Sequence, residues 1–305
     1  MPFHTIYLVD ASPYIFRAYY SLPATIRDPK GVKVGAVYGF ASFLLKLIAD
    51  EKVTHLGVTF DRNLNGSFRN RFYPAYKEQR QPPPADLVAQ IDPCVEVTSA
   101  LGAATFIDDE YEADDLIAAL TARLVPEGHR VVIVTSDKDL AQLVSDQVTL
   151  YDFGKGERYD AEAVVAKFGV RPDQIVDLLA LAGDPVDNIP GVAGIGRKSA
   201  ADLLSVFEHV EDLYEKLDAV RFAKIRGAKS LYFRLAESQD KAMLSKVLAT
   251  VAADAPLAGL AGLAGDTAGD VDSLAYLGAD PERVDEIFAR MGFKGIRDRV
   301  PERSR

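Results

Sequence analysis

Cysteine is almost missing from this 305-residue chain: Cys94 is the single one. An internal disulfide is thereby excluded, and the composition fits a reducing, cytoplasmic setting. Histidine is scarce too. His4, His55, His129 and His209 are scattered along the sequence, and with one cysteine they offer no zinc-ligand spacing. No stretch approaches the ~18 consecutive apolar residues of a membrane span, so no membrane partner is expected. The apolar run 6–9 ends at Asp10 without a basic leader or cleavage pattern, and a signal peptide is not expected. Net positive charge is also lacking. The formal charge is −10, at first sight unfavourable for a nucleic-acid partner, because duplex binding relies on Lys and Arg neutralising phosphates. The objection weakens if the excess acid is gathered in one site that divalent cations neutralise.

What is present is an ordinary folded composition, 48% hydrophobic and 26% charged, in a chain long enough for one large domain or two modest ones. Three β-like apolar runs end in aspartate. Thr5-Ile6-Tyr7-Leu8-Val9 runs into Asp10, and Leu56-Gly57-Val58-Thr59-Phe60 runs into Asp61. Val131-Val132-Ile133-Val134-Thr135 leads, one residue later, to Asp137. Near-continuous apolar strands imply a sheet covered on both faces. Helical periodicity over 37–49 and 87–101 separates them, which predicts an α/β fold with a mainly parallel central sheet flanked by helices. Ligands of such sheets gather beyond the carboxyl ends of the strands, where all three aspartates fall. A fourth acidic group, Asp108-Asp109-Glu110-Tyr111-Glu112-Ala113-Asp114-Asp115, follows the run Thr105-Phe106-Ile107 and opens a helix over 116–124. Glu112 and Asp115 share a helical face, whereas Asp114 points elsewhere on an ideal helix.

From about Asp173 the pattern turns helical, with helices expected over 174–182, 198–207 and 229–251. The stretch 257–265 reads as a loose connector, 281–291 as an amphipathic piece returning to the body, and 297–305 as a basic, frayed tail.

Nine acids are candidates for one site: Asp10, Asp61, Glu112, Asp114, Asp115, Asp137, Asp139, Asp184 and Asp187. Taken singly, each has a bland reading as a turn, cap or solvated acid. Together they demand counterions, since two carboxylates ~4 Å apart repel by ~4 kcal/mol at an effective dielectric near 20. All-oxygen ligands select Mg²⁺ or Mn²⁺, and two such ions suit phosphodiester hydrolysis. Between Asp61 and Arg80 lie Arg62, Arg69, Arg71 and Lys77, interleaved with Phe68, Phe72, Tyr73 and Tyr76. Cations alternating with aromatics suit a backbone track with base stacking. Closely spaced Gly191, Gly194 and Gly196, followed by Arg197 and Lys198, suit a tight turn presenting backbone N–H groups to phosphate. The spacing is not that of a P-loop.

These segments together resemble the 5′-nuclease family, which includes the 5′→3′ exonuclease domain of bacterial DNA polymerase I, phage 5′-exonucleases and flap endonucleases. The matching runs are Leu8-Val9-Asp10, Phe60-Asp61, Tyr73-Pro74-Ala75-Tyr76-Lys77-Glu78-Gln79-Arg80 and Tyr111-Glu112-Ala113-Asp114-Asp115. They continue through Asp137-Lys138-Asp139-Leu140, the run from Gly183 to Val192, and Gly194-Ile195-Gly196-Arg197-Lys198. They stand in family order over roughly residues 4 to 250. The resemblance implies a PIN-like nuclease core over 1–168, with an arch at about 65–84 through which a 5′ single strand passes. It also implies a helical helix–hairpin–helix (H3TH) domain with a C-terminal extension over 169–305. By the same resemblance the nine acids hold two divalent ions. Lys77, Arg80 and Arg17 contact the scissile phosphate, and Tyr76 stacks on a terminal base. The glycine hairpin grips duplex phosphates, with a monovalent cation such as K⁺ on backbone carbonyls at Val192 to Ile195. The implied partner is DNA with 5′ ends, flaps or nicks, and the implied state a monomer. Ala11 and Ser136 depart from the glycines that many relatives carry beside the key aspartates. With 305 residues and no room for a polymerase, a freestanding nuclease is expected. Two other readings stay open: a non-catalytic, structure-specific DNA-binding protein, and an RNA-cleaving nuclease on a related acidic core.

Overall fold

Among the residues that the computed structural model describes, 3–62, 66–257 and 269–301, the apolar runs ending in aspartate are strands. They are β1 (Thr5–Asp10), β2 (Leu56–Asp61), β3 (Ala104–Asp108) and β4 (Arg130–Val134), followed by β5 (Val148–Asp152) and β6 (Glu157–Tyr159). The helices in chain order are α1 (Ala11–Ser21), α2 (Gly35–Glu51), α3 (Ala85–Val88), α4 (Ile91–Ala100), α5 (Ala113–Leu124) and α6 (Ala161–Phe168). They continue with α7 (Ile175–Ala182), α8 (Arg197–Leu204), α9 (Val210–Glu215), α10 (Ala228–Ala236), α11 (Gln239–Ala249) and α12 (Pro281–Met291).

One sheet runs in the order β3-β2-β1-β4-β5-β6. All neighbours are parallel except β5 and β6. Its strands read as unbroken apolar runs because both faces are covered. Ile6 and Leu8 pack with α5 and the helical half, while Tyr7 and Val9 pack against α1, α2 and α4. From β1 the chain moves outward to β2 and β3, then returns to lay β4 on the other side of β1. That reversal opens a crevice beyond the ends of β1 and β4, the usual ligand position in such sheets.

Several elements differ from the periodicity. The helix expected over 87–101 is two, α3 and α4, and Pro93 gives the reason. Proline lacks the N–H an interior turn requires and is tolerated in a first turn, so the helix restarts at Ile91. At the break Gln90 is buried and accepts from the Ala36 amide at 2.9 Å. The helix expected over 229–251 likewise breaks at Ser238. Strands β5 and β6 escaped notice because β5 is short and buries Asp152 along with Val148 and Leu150.

The helical half shares a core with the sheet, since Ile175, Leu178 and Leu181 join Ile133 and Leu140. The last described segment does not belong to that half. Tyr276 donates to Thr54 O at 2.8 Å and Asp280 to Ala100 O at 2.9 Å. Val284, Ile287 and Phe288 of α12 lie in the layer of Leu44, Cys94 and Leu101. The C-terminal extension within the span 169–305, including the amphipathic piece 281–291, therefore lies on the face of the sheet opposite the helical half. Asn65 at the start of the expected arch, most of the connector 257–265 and residues 302–305 of the tail lie outside the described residues. No helix among the described residues is long and apolar enough to cross a membrane.

Candidate active site

The crevice beyond β1 and β4 is a cavity of about 210 Å³ walled by Asp10, Asp61, Glu112, Asp114, Asp137, Asp139 and Asp187, with Lys77 and Arg80. Seven of the nine candidate acids are thus brought together, against two cations. Asp10 ends β1, caps α1 by accepting from Ser12 N at 3.3 Å, and accepts from Thr135 Oγ1 at 2.8 Å. Asp61 ends β2 and accepts from Ser12 Oγ at 2.5 Å and Ala113 N at 2.8 Å, which seats it on the first turn of α5. Ser12 and Thr135 are positioning hydroxyls that sequence reasoning missed. The one available signal was the Asp-x-Ser capping spacing after β1. Asp137 accepts from the Asp139 amide at 2.9 Å, a local turn that turns both acids inward.

Asp114 is different. Its carboxylate makes no hydrogen bond among the described residues, and the charges that reach it are Asp10, Asp137, Asp61 and Lys77. Burial, followed by Asp10 and Asp137, pushes its pKa well above the carboxylate range. Asp10 is pushed the same way by burial and by Asp61, against the pull of the Thr135 hydroxyl. Asp139 is pushed up to about 7 by burial and by Asp137, Asp184 and Asp187. Glu112 is raised too, by burial and against the pull of Lys77 and Arg69, and four upward shifts in one cavity mark a site whose acids are buried and repel one another.

The cations enter from the segment after β2. Lys77 pairs with Glu112 and stands 3.6 Å from Asp187, while Arg80 pairs with Asp187. Lys77 has a φ of 57°, the left-handed region that non-glycine residues seldom adopt. Its amide is held there by Asp187 O at 3.0 Å. Asn188, also left-handed, donates through Nδ2 to Ala75 O at 2.6 Å, and the Gln79 side chain reaches Pro185 O. The loop between α7 and α8 is thereby stapled to the basic segment, which delivers Asp187 to the cavity. Asp184 stops just short of the lining. Its Oδ1 accepts from Val186 N at 2.6 Å, and Oδ2 lies 3.7 Å from Arg197. Among the described residues no three acids, histidines or cysteines converge closely enough to encircle an ion as they stand.

A family model described as the 5′-3′ exonuclease, N-terminal resolvase-like domain, matches residues 5–169. The chain belongs to the 5′-3′ exonuclease family. A second model, the C-terminal SAM fold of the 5′-3′ exonuclease, matches residues 170–264. DNA polymerase I of Bacillus subtilis (strain 168) is 38% identical over 301 residues, which are 97% of this chain and 32% of that protein. The chain thus spans about a third of the length of the curated relatives it matches. Among solved structures, the bacteriophage T5 D15 flap endonuclease, in a complex with DNA and metal ions, superposes with a TM-score of 0.67 at 20% identity. It covers 95% of this chain and 100% of that one. The catalytic core of Rad2 in complex with DNA substrate gives 0.57 at 18% identity, covering 97% and 91%. Both likenesses concern the fold.

Several residues expected at a family site stand elsewhere. Asp115 is fully buried and faces away from the cavity. Arg69 forks onto both its oxygens at 2.8 Å, and Asp115 also accepts from the amides of Ala252 at 2.8 Å and Glu112 at 3.1 Å. The helix begins at Ala113, with Glu112 as its cap rather than a member. Asp114, not Asp115, therefore joins Glu112 in the cavity. Arg69, grouped with the substrate-contacting cations by sequence, is 3% exposed. It bonds Leu248 O and Thr250 O at 2.9 Å as well as Glu112 at 3.1 Å, so it ties three parts of the chain together. Arg69→Met is expected to destabilise the fold by about 3–5 kcal/mol, because it strands Asp115 as an unpaired buried charge. An unchanged midpoint in urea unfolding would refute that role.

Tyr76 is buried at 4% exposure and donates to Glu112 at 3.0 Å and Asp187 at 3.3 Å. In this position it orients two cavity acids and offers no free face for a base. The described part of the expected arch, 66–84, lies folded onto the α5 terminus and the 184–188 loop through Tyr76, Arg69 and Lys77. Arg62 and Arg71 pair with Asp109 and Glu110. Arg17 is exposed and lies against Gly154, lining a different cavity.

The glycine hairpin forms between α7 and α8. At Gly191, with φ of 60°, a side chain would collide with the backbone of Gly183. Val192 and Ile195 are buried, whereas Gly196, Arg197 and Lys198 stand exposed at the start of α8. The Gly194 carbonyl, within the run expected to hold a monovalent cation, accepts from Arg234.

Proposed function

We propose that this chain is a divalent-metal-dependent 5′→3′ exonuclease and 5′-flap endonuclease that hydrolyses DNA phosphodiester bonds at the acidic cavity. The observation that carries the reading is Asp114, a carboxylate repelled by Asp10, Asp137 and Asp61 and without a hydrogen bond among the described residues. A folded protein retains such a group at a cost, and a bound cation offsets it. The donor set is carboxylate oxygen throughout, which fits hard ions such as Mg²⁺, with Mn²⁺ as a substitute. Asp10, Asp61, Glu112, Asp114, Asp137, Asp139 and Asp187 would hold a pair of them, with Asp184 behind Asp139. When bound, the ions supply the Lewis acidity that phosphodiester hydrolysis needs. The T5 and Rad2 proteins, which share the fold, are seen with DNA, and the T5 protein with metal ions as well.

The chain's own residues then have distinct tasks. Lys77 and Arg80, which face the cavity beside Glu112 and Asp187, would meet the scissile phosphate and stabilise the charge that grows on it. Ser12, Thr135 and Tyr76 hold the acids in orientation. The exposed amides at the start of α8, with Arg197 and Lys198, bind phosphates further along the duplex.

The test is cleavage of a 5′-flap duplex with Mg²⁺ and with chelator. Cutting near the junction in Mg²⁺ and none in chelator is the expected result. Tight binding without any cut in Mg²⁺ or Mn²⁺ would leave a structure-specific DNA-binding protein. Equal cutting of a matched RNA strand would favour an RNA nuclease.

A further inference from the structure

Phe16 of α1 reaches the acidic cavity, and the next residue, Arg17, reaches another. This second cavity, about 430 Å³, lies between α1, α2, the turn at Phe153 and Gly154, and Arg299. The size falls within the ~300–1,000 Å³ of small-molecule sites. Its aromatic wall is ordered. Tyr14 and Phe43 stack at 3.8 Å with 6° between their planes, and Phe153 stands edge-on to Phe43 at 5.6 Å.

Three cations share the space. Lys46 pairs with Asp50 and lies 5.3 Å from the Phe153 ring centre. Arg299 donates to Ser42 O at 3.1 Å. Arg17 has no carboxylate in ion-pair range among the described residues, and a side chain at Gly154 would collide with its guanidinium. Two hydroxyls complete the lining. Ser42 Oγ is buried without a hydrogen-bond partner among the described residues, and Tyr14 Oη, on a side chain only 5% exposed, has the Phe153 backbone beside it but no bond of good geometry. Buried polar atoms left unpaired are costly, and a ligand's polar atom would relieve them.

We propose that this cavity binds one nucleotide. The base lies against the aromatic wall, the phosphate meets Arg17, Lys46 and Arg299, and polar atoms of the base or sugar pair with the Tyr14 and Ser42 hydroxyls. Inorganic phosphate would leave the rings and both hydroxyls unused, and a neutral aromatic would leave the cations unused. A nucleotide uses all three features. It is either a free mononucleotide or one unit of a strand, since both carry the same base and phosphate. The proposal does not rest on the catalytic reading, because binding is measured without divalent ions.

The chain has no tryptophan, so Ser21→Trp at the exposed rim of the cavity installs a single reporter. In chelator, its emission is expected to change saturably with thymidine 5′-monophosphate or with a thymidine hexanucleotide, and the tighter of the two identifies the source. Thymidine and inorganic phosphate should bind at least tenfold more weakly. Adding Lys46→Gln with Arg299→Gln should weaken the tighter ligand at least tenfold, while Lys77→Ala leaves it unchanged. Calorimetry on the unaltered chain checks the affinity without the reporter. Saturation by neither ligand, or an affinity that follows Lys77 instead of Lys46 and Arg299, overturns the proposal.

Discussion

Asp114→Asn is expected to abolish cleavage and, at the same time, to raise the melting temperature of the metal-free protein. The two effects have one cause. Asp114 makes no hydrogen bond among the described residues and sits among Asp10, Asp137 and Asp61. Asparagine of nearly equal size removes a repelled charge while keeping the packing, so the fold gains. On the proposed function the same charge would help hold the ions that the reaction needs, so the rate is expected to fall by at least about 10²–10³-fold, the cost of losing one preorganised electrostatic group. Single-turnover cleavage of a saturating flap substrate and a thermal melt in chelator measure both. An unchanged rate would remove Asp114 from the site. A lowered melting temperature would mean that its environment is not repulsive.

Without metal, stability is expected to fall as pH rises from 5.5 to 8, and divalent ions at pH 8 should restore it. Asp139 ordinarily titrates near 3.8 and in the fold near 7. A raised pKa contributes stability that is complete below the unfolded value and lost as pH climbs through the folded one. Between pH 5.5 and 8 that loss is about 2 kcal/mol from Asp139 alone, or roughly 3 °C in melting temperature. Asp10 and Asp114 are raised in the same direction and extend the decline upward. Ions at about 100 times their dissociation constant would return ~2.7 kcal/mol. A melting temperature that rises from pH 5.5 to 8 in chelator would contradict the cluster's repulsion.

The acids of the cavity were legible because strand endings are local. An apolar run stopped by aspartate announces both the strand and the position of its last side chain. That argument places Asp10 and Asp61, and the short step past β4 places Asp137. It fails at Asp115, since an ideal helix assumed from Glu112 puts the wrong face inward. The actual start at Ala113 depends on Asp61 accepting the Ala113 amide from across the sheet, a contact between residues far apart in sequence. Tyr76 and Arg69 stand elsewhere than the sequence suggested for a related reason. Alternating cations and aromatics do not say which of them a distant carboxylate will claim, and Asp115 and Glu112 claim Arg69.

Composition and periodicity alone determined the α/β class, the acid-bearing strand ends, the glycine hairpin and the absence of a disulfide, because each depends on residues near one another in the chain. Only the tertiary structure decided the rest. It closed the acidic cavity by stapling the Asp187 loop to the Lys77 segment. It carried α12 back to the far face of the sheet. It also gathered three of the four scattered histidines, His4 with its ring centre 4.2 Å from that of His55 and 5.7 Å from that of His129, because each directly precedes one of three adjacent strands. Proximity across a sheet is set by strand order, and strand order is a property of packing the whole chain.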